Sequence, residues 1–81
     1  MEIRVVAFAS LREIVRSSPQ SLTLPEGATL GEAWALLERA HPALTPHRAS
    51  LRAARNGRLA KLDEPLADGD EVALFPPVGG G

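Results

Sequence analysis

Apolar and polar positions change period several times along this chain. Residues 2–9, EIRVVAFA, set Ile3, Val5 and Ala7 on one side and, after Arg4, Val6 and Phe8 on the other. A period of two with apolar groups on both faces predicts a strand in the interior of a sheet. Ser10-Leu11-Arg12-Glu13 then matches a capping box, and Leu11, Ile14 and Val15 follow at helical spacing. A helix of about two turns is expected there, stopped by Ser17-Ser18-Pro19. Gln20 to Leu24 reads as a second strand with Leu22 and Leu24 inward, and Pro25-Glu26-Gly27 as a turn with Gly27 free to take a positive φ. Thr29-Leu30-Gly31-Glu32 is a second capping box. Leu30, Ala33, Trp34, Leu37 and Ala40 recur behind it at three- and four-residue intervals, which predicts a helix over 30–40 ended by Pro42. Trp34, the largest apolar group, is its expected anchor.

His41 to Ser50 reads as a connection with at most one helical turn. Asn56-Gly57 lies between Leu51–Arg55 and Arg58–Leu62, the pattern of a tight hairpin. Asp63-Glu64-Pro65 breaks the second of these strands, and Leu66 is a lone apolar residue expected under the core. Asp68-Gly69-Asp70 is a turn, Glu71 to Phe75 a last strand with Val72 and Leu74 on one face, and Pro76-Pro77 ends pairing because neither residue has an amide proton. The expected order is β-α-β-α-β-β-β, one long helix on a small mixed sheet.

With 81 residues, the chain has room for one domain. The absence of cysteine excludes disulfides, thiolate metal sites and a catalytic thiol. A formal charge of -1 gives no footprint for nucleic acid or an anionic membrane, and three aromatic residues leave little for bases to stack on. No run approaches a membrane span and no signal peptide is evident, so a cytoplasmic location is expected. His41 and His47 have no carboxylate at ligand spacing, Ser10 lacks the glycines of a nucleophile elbow, and Asp63, Asp68 and Asp70 read as turn residues rather than calcium ligands. Charge is segregated: five cations and no acid over 47–62, then five acids and no cation over 63–71. That pattern fits solvated strand edges with cross-strand pairs, or a polarised surface that orients a protein partner.

The tail differs in kind. The last six residues, PPVGGG, follow the final strand directly, carry no charged side chain and nothing bulky after Val78. At ~3.3 Å per residue they reach on the order of 20 Å from the domain. The carboxylate of Gly81 is ionised and a poor electrophile at neutral pH. Attack on the α-phosphate of ATP makes it an acyl-adenylate, and a sulfur donor can then displace AMP to leave a thiocarboxylate. An activating enzyme must choose this group over ten side-chain carboxylates. A narrow tunnel that admits glycine backbone and excludes any Cβ is the simplest sieve, so Gly81 is the candidate reacting residue, with Gly80 and Gly79 as clearance.

Three segments, Phe8-Ala9 with Leu11-Arg12-Glu13, Pro65 through Val72 (PLADGDEV), and Phe75-Pro76-Pro77-Val78 before Gly80-Gly81, resemble the molybdopterin synthase small-subunit family of ubiquitin-like sulfur carriers. The resemblance implies an α+β, β-grasp (ubiquitin-like) domain over 1–75, about five strands on one main helix, and an extended glycine tail over 76–81. It implies that an enzyme of the ubiquitin-activating type uses ATP to adenylate Gly81. The adenylate becomes a thiocarboxylate, and sulfur passes to cyclic pyranopterin monophosphate in molybdenum cofactor biosynthesis. No cofactor is expected to stay bound. The implied partners are the large synthase subunit in a 2:2 heterotetramer, the adenylating enzyme and a sulfur donor protein. The large subunit holds the catalytic bases, so this chain is expected to supply sulfur without a complete active site of its own. The implied partner-binding positions are Phe8, Arg12, Leu59, Phe75, Pro76, Pro77 and Val78, with core packing the competing role for Phe8 and Phe75. Thiamine synthesis, tRNA thiolation and a non-catalytic ubiquitin-like interaction module remain alternatives.

Overall fold

The computed structural model describes residues 1–77; Val78, Gly79, Gly80 and Gly81 lie outside the described residues. Five strands, β1 (Glu2–Ala7), β2 (Gln20–Thr23), β3 (Arg52–Arg55), β4 (Arg58–Ala60) and β5 (Glu71–Phe75), form one mixed sheet in the order β2-β1-β5-β3-β4. Strand β1 runs parallel to β5 and antiparallel to β2, and β3 runs antiparallel to both β5 and β4. Helix α1 (Ala9–Val15) links β1 to β2, and helix α2 (Leu30–Ala40) packs across the sheet. The mixed sheet on one main helix expected from the sequence is present, with β1 and β5 in its interior.

Packing follows from the period-two pattern. Ile3, Val5 and Ala7 of β1 and Val72 and Leu74 of β5 are buried on the helix side, where they meet Leu30, Ala33, Trp34 and Leu37. Trp34 is 1% exposed although its Nε1 finds no acceptor among the described residues. Removing so large a ring from water outweighs one unmade hydrogen bond, which costs about 1–3 kcal/mol. Leu66 is buried as expected.

The start of α2 is held from two sides. Thr29 Oγ1 accepts from the Glu32 amide at 3.2 Å and Glu32 Oε1 accepts from the Thr29 amide at 3.4 Å, completing the predicted capping box. The amides of Leu30 and Gly31 donate to the carbonyls of Glu64 and Leu62 at 2.9 and 2.7 Å. A Cβ on residue 31 would stand 3.0 Å from that Leu62 oxygen, so the close approach calls for glycine.

The first capping box is a correction. Helix α1 starts at Ala9, and its N-cap is Phe8, which makes no side-chain cap. The Phe8 amide still donates to Leu74 O in the sheet, while its carbonyl already accepts from the amides of Leu11 and Arg12. The chain must therefore turn at once, with Ala9 at φ 51°, and Ser10 falls inside the first turn where it caps nothing. Ser18, after the helix, accepts from the Ala7 amide at 2.8 Å and so completes the end of β1. The 41–50 connection is also more ordered than expected: Pro42–Ser50 is a 3₁₀ helix that buries Leu44. Strands β2, β3 and β4 are each one or two residues shorter than the sequence pattern suggests, and β1 stops at Ala7 rather than residue 9.

Thr29→Ala should lower the unfolding free energy by about 1 kcal/mol and Ser10→Ala should leave it within about 0.5 kcal/mol, as measured by urea denaturation followed through Trp34 fluorescence.

Candidate functional site

Register defines the sheet face turned away from α2. Residues on that face line up across four strands: Val6 of β1 pairs with Ala73 of β5, Ala73 with Ala54 of β3, and Ala54 with Leu59 of β4. This row is apolar throughout, and Leu59 at its end is 76% exposed. The next row, at the end where β5 finishes, begins with Phe8 beside Phe75 and continues to Arg52, the cross-strand partner of Phe75. Phe8 is 48% exposed, so it is not one of the buried residues of the core. Phe75 and Pro76 are half-buried, and Pro77 is exposed.

Phe8, Phe75, Pro76 and Pro77 are thus gathered where the chain leaves β5. Arg12 stands one helical turn beyond Phe8, its amide donating to the Phe8 carbonyl, and it is exposed. Leu59 belongs to the neighbouring row, two strands away from β5. The structure therefore makes one continuous patch of residues scattered over the sequence. Val6, Ala73 and Ala54, which sequence reasoning did not single out, complete it. Their signal was the apolar residue on the nominally outward side of β1 and β5, which becomes interpretable only with the register known.

A polar clamp holds the β3–β4 hairpin in that register. Asp70, 6% exposed, accepts from Arg55 Nε at 2.6 Å, from Asn56 Nδ2 at 2.8 Å and from the Ala67 amide at 2.7 Å. Asn56 and Glu71 exchange two further bonds: the Glu71 amide donates to Asn56 Oδ1, and the Asn56 amide donates to Glu71 O. Glu64 adds a second carboxylate to Arg55 at 3.4 Å. Burial raises the Asp70 carboxyl pKa, but the Ala67 amide, the Asn56 amide and the Arg55 guanidinium outweigh it and hold the group below its ordinary range. The hydrogen bonds to Asp70 and Glu64 raise Arg55 in turn. The turn reading of Asp70 missed this role, because no sequence spacing shows that residue 70 meets residue 55. Part of the segregated charge is accounted for here, since two acids of the 63–71 run neutralise a cation of the 47–62 run.

The described residues hold no group of three His, Cys, Asp or Glu placed to bind a metal ion, and no helix among them is long and apolar enough to cross a membrane. What the face offers is a partly exposed apolar surface beside Pro76 and Pro77, where the chain leaves β5. The model of the family described as the ThiS family matches residues 5–81. The chain belongs to the ThiS family. Within this family's reach, the chain is 40% identical to the molybdopterin synthase sulfur carrier subunit of Escherichia coli K12, over 98% of this chain and 99% of that one. The crystal structure of small archaeal modifier protein 1 from Haloferax volcanii matches with a TM-score of 0.83 and 36% identity over the whole of both chains. The solved complex of subunits 1 and 2 of molybdopterin-converting factor from Helicobacter pylori matches with a TM-score of 0.70 and 27% identity, over all of both chains. The fold is the ubiquitin-like β-grasp of these ThiS-family proteins.

Asp70→Asn should destabilise the fold at pH 7, because a buried carboxylate loses its charge-assisted hydrogen bonds to a partly exposed Arg55 and to Asn56 and Ala67, as measured by urea denaturation. The folded-state pKa of Asp70 lies below its unfolded value, so its contribution is complete above the unfolded pKa of about 3.9 and is lost as pH falls through the folded one. Wild type should therefore lose stability below about pH 4, and the variant should lose less over the same interval, as read by urea titrations at a series of acidic pH values.

Proposed function

We propose that this protein is the sulfur carrier of a molybdopterin synthase. Its Gly81 carboxylate attacks the α-phosphate of ATP in an enzyme of the ubiquitin-activating type, and pyrophosphate leaves. The terminal sulfur of a donor protein's persulfide then displaces AMP to form an acyl disulfide, and a second thiol reduces its S–S bond, giving the thiocarboxylate and releasing the donor as a disulfide. The apolar face with Phe8, Leu59 and Phe75 docks on a large subunit, with Arg12 at its border and Pro76, Pro77 and Val78 as the root of the lead. The tail delivers sulfur to cyclic pyranopterin monophosphate in the large subunit's site, in a 2:2 assembly in the cytoplasm. The supporting observation is the aromatic exit: Phe8 and Phe75 flank the point where the chain leaves β5, so a partner that covers the face meets Pro76 and Pro77, which lead into the tail. The likeness to the Escherichia coli carrier over nearly all of both chains, and to a subunit solved in complex with its second subunit, supports the same reading.

The match to small archaeal modifier protein 1 supports a second reading with the same first step. An amine in place of the sulfur donor would displace AMP from the Gly81 adenylate and form an amide. Thiamine synthesis and tRNA thiolation would use the same thiocarboxylate with other acceptors.

Incubation with ATP, an activating enzyme, a persulfide donor and a thiol reductant, which cleaves the acyl disulfide formed first, should exchange one terminal oxygen for sulfur, visible in the intact mass. Supplying pyranopterin with a large subunit, a thiazole-forming enzyme or a tRNA thiolase then reads out the pathway. Deletion of Gly81 should abolish transfer while changing large-subunit affinity less than about threefold, because the docking face is untouched. A deletion variant that still transfers sulfur ends the proposal. Leu59→Ser should leave folding stability within about 0.5 kcal/mol and weaken large-subunit binding about tenfold, measured by calorimetry on the two purified chains.

A further inference from the structure

The β3–β4 hairpin sets like charges across from one another. Arg55 pairs with Arg58, and the register continued one residue past Ala53↔Ala60 places Arg52 opposite Lys61. Like charges directly opposite weaken a strand pair. At the turn end the repulsion is neutralised, since Arg55 binds Asp70 and Glu64. At the open end it is not: among the described residues no carboxylate stands within ion-pair distance of Arg52 or Lys61, and both are exposed. Arg48, close by, is taken by Glu38 at 2.8 Å. Arg52 and Lys61 thus stand at the open end of the hairpin with no carboxylate to neutralise either among the described residues.

The same two cations border a groove of about 460 Å³ along the free edge of the sheet. Its floor includes Leu51, Leu59, Ala60 and Leu62, and no carboxylate lines it. Arg52 is also the cross-strand partner of Phe75, so the groove continues the face beside the chain exit. An apolar floor with a cationic rim fits a ligand that is apolar in the middle and acidic at its margin.

We propose that this groove docks an acidic segment with an apolar anchor, carried by the protein that receives the tail. A leucine-sized side chain lies on Leu51, Leu59 and Leu62, and a carboxylate sits between Arg52 and Lys61. A second copy of this chain is poorly equipped for the role. In its own acidic run Glu64 and Asp70 bind Arg55, Glu71 lies near Arg4, and Asp68 accepts from the Glu2 amide. The inference rests on the carrier reading only for which protein bears the segment. Attraction at this end of the molecule speeds encounter, and salt screens it.

The test uses the full-length chain, ¹⁵N-labelled, titrated with the synthetic peptide acetyl-EELLEDE-amide and with its Gln/Asn counterpart. The acidic peptide should shift the amides of Arg52, Leu59, Lys61 and Leu62. Its affinity should fall at least about tenfold in the R52Q/K61Q variant and in high salt. The free variant should melt about 1–3 °C higher than wild type, because the repulsion is gone; a merely structural pair would move Tm the other way. Equal binding of the neutral peptide, shifts confined to the Phe8–Val6 side of the sheet, no binding at all, or self-association through these residues in sedimentation would each overturn the proposal. An unchanged association rate of R52Q/K61Q with a large subunit would overturn the choice of partner. A failure to form thiocarboxylate leaves the peptide results as they are, so the two readings fail separately.

Discussion

The buried Asp70 carboxylate is the constraint on which the working surface depends. Strand β1 is held to α2 by Ile3 and Val5, whereas the hairpin strands offer the core Ala53 and Ala60, with Leu51 and Leu62 packed against it only at the open end. At roughly 25 cal/mol per Å² of apolar surface, two methyl groups supply little of the free energy needed to fix two strands in one register. Asp70 adds to this at the turn end by joining two segments, the hairpin turn through Arg55 and Asn56 and its own turn through Ala67. Burying a carboxylate costs several kcal/mol, which is offset only because each oxygen is hydrogen-bonded and a guanidinium is in contact. The geometry matters beyond stability. A slip of one residue would turn Leu59 and Ala54 to the other side and break the row that begins at Val6.

That arrangement separates holding from reacting. The described residues hold no group of three His, Cys, Asp or Glu placed to bind a metal ion, and their one buried carboxylate is committed to the clamp. On the carrier reading the reacting acid group would be the Gly81 carboxylate, at the end of a segment that carries no charge on its side chains, and a partner would distinguish it from ten others by the width of a passage rather than by reactivity. Discrimination between partners then falls to the sheet face at the root of the lead. Phe8 serves both ends of this arrangement, because its amide completes the β5 ladder, its carbonyl starts α1, and the residue is left half exposed.

What could be read from the sequence was whatever depends on near neighbours. The Thr29–Glu32 box, the Asn56-Gly57 turn and the alternation of β5 are each set by residues within a few positions, and all appear where expected. The Ser10 box met the same local rule and failed, since Phe8 was already tied to Leu74 across the sheet and fixed the start of α1 two residues earlier. Leu44 was hidden inside a proline-broken stretch whose 3₁₀ winding gives no 3.6-residue period. The candidate face was half legible. Phe8, Leu59 and Phe75 came from family likeness, whereas Val6, Ala73 and Ala54 needed the pairing of four strands. Asp70 was the least visible, because an aspartate in an Asp-Gly-Asp turn satisfies local rules whether or not a distant arginine meets it.

The segregation of charge shows the same limit from another side. In the sequence, five cations are followed by five acids, and the sum over the chain is close to zero. Folding does not mix the two runs evenly. It brings Asp70 and Glu64 to the turn end of the hairpin, where Arg55 is neutralised twice, and leaves Arg52 and Lys61 at the other end with no carboxylate against either among the described residues. A small net charge therefore coexists with a locally positive rim, and it is the local field within a Debye length, about 8 Å at physiological salt, that an approaching partner meets. The strand pairing that aligns the apolar row ends beside Arg52 and Lys61. An incoming carboxylate would meet two cations that no carboxylate of the described residues occupies, and so would gain their attraction without displacing an internal ion pair.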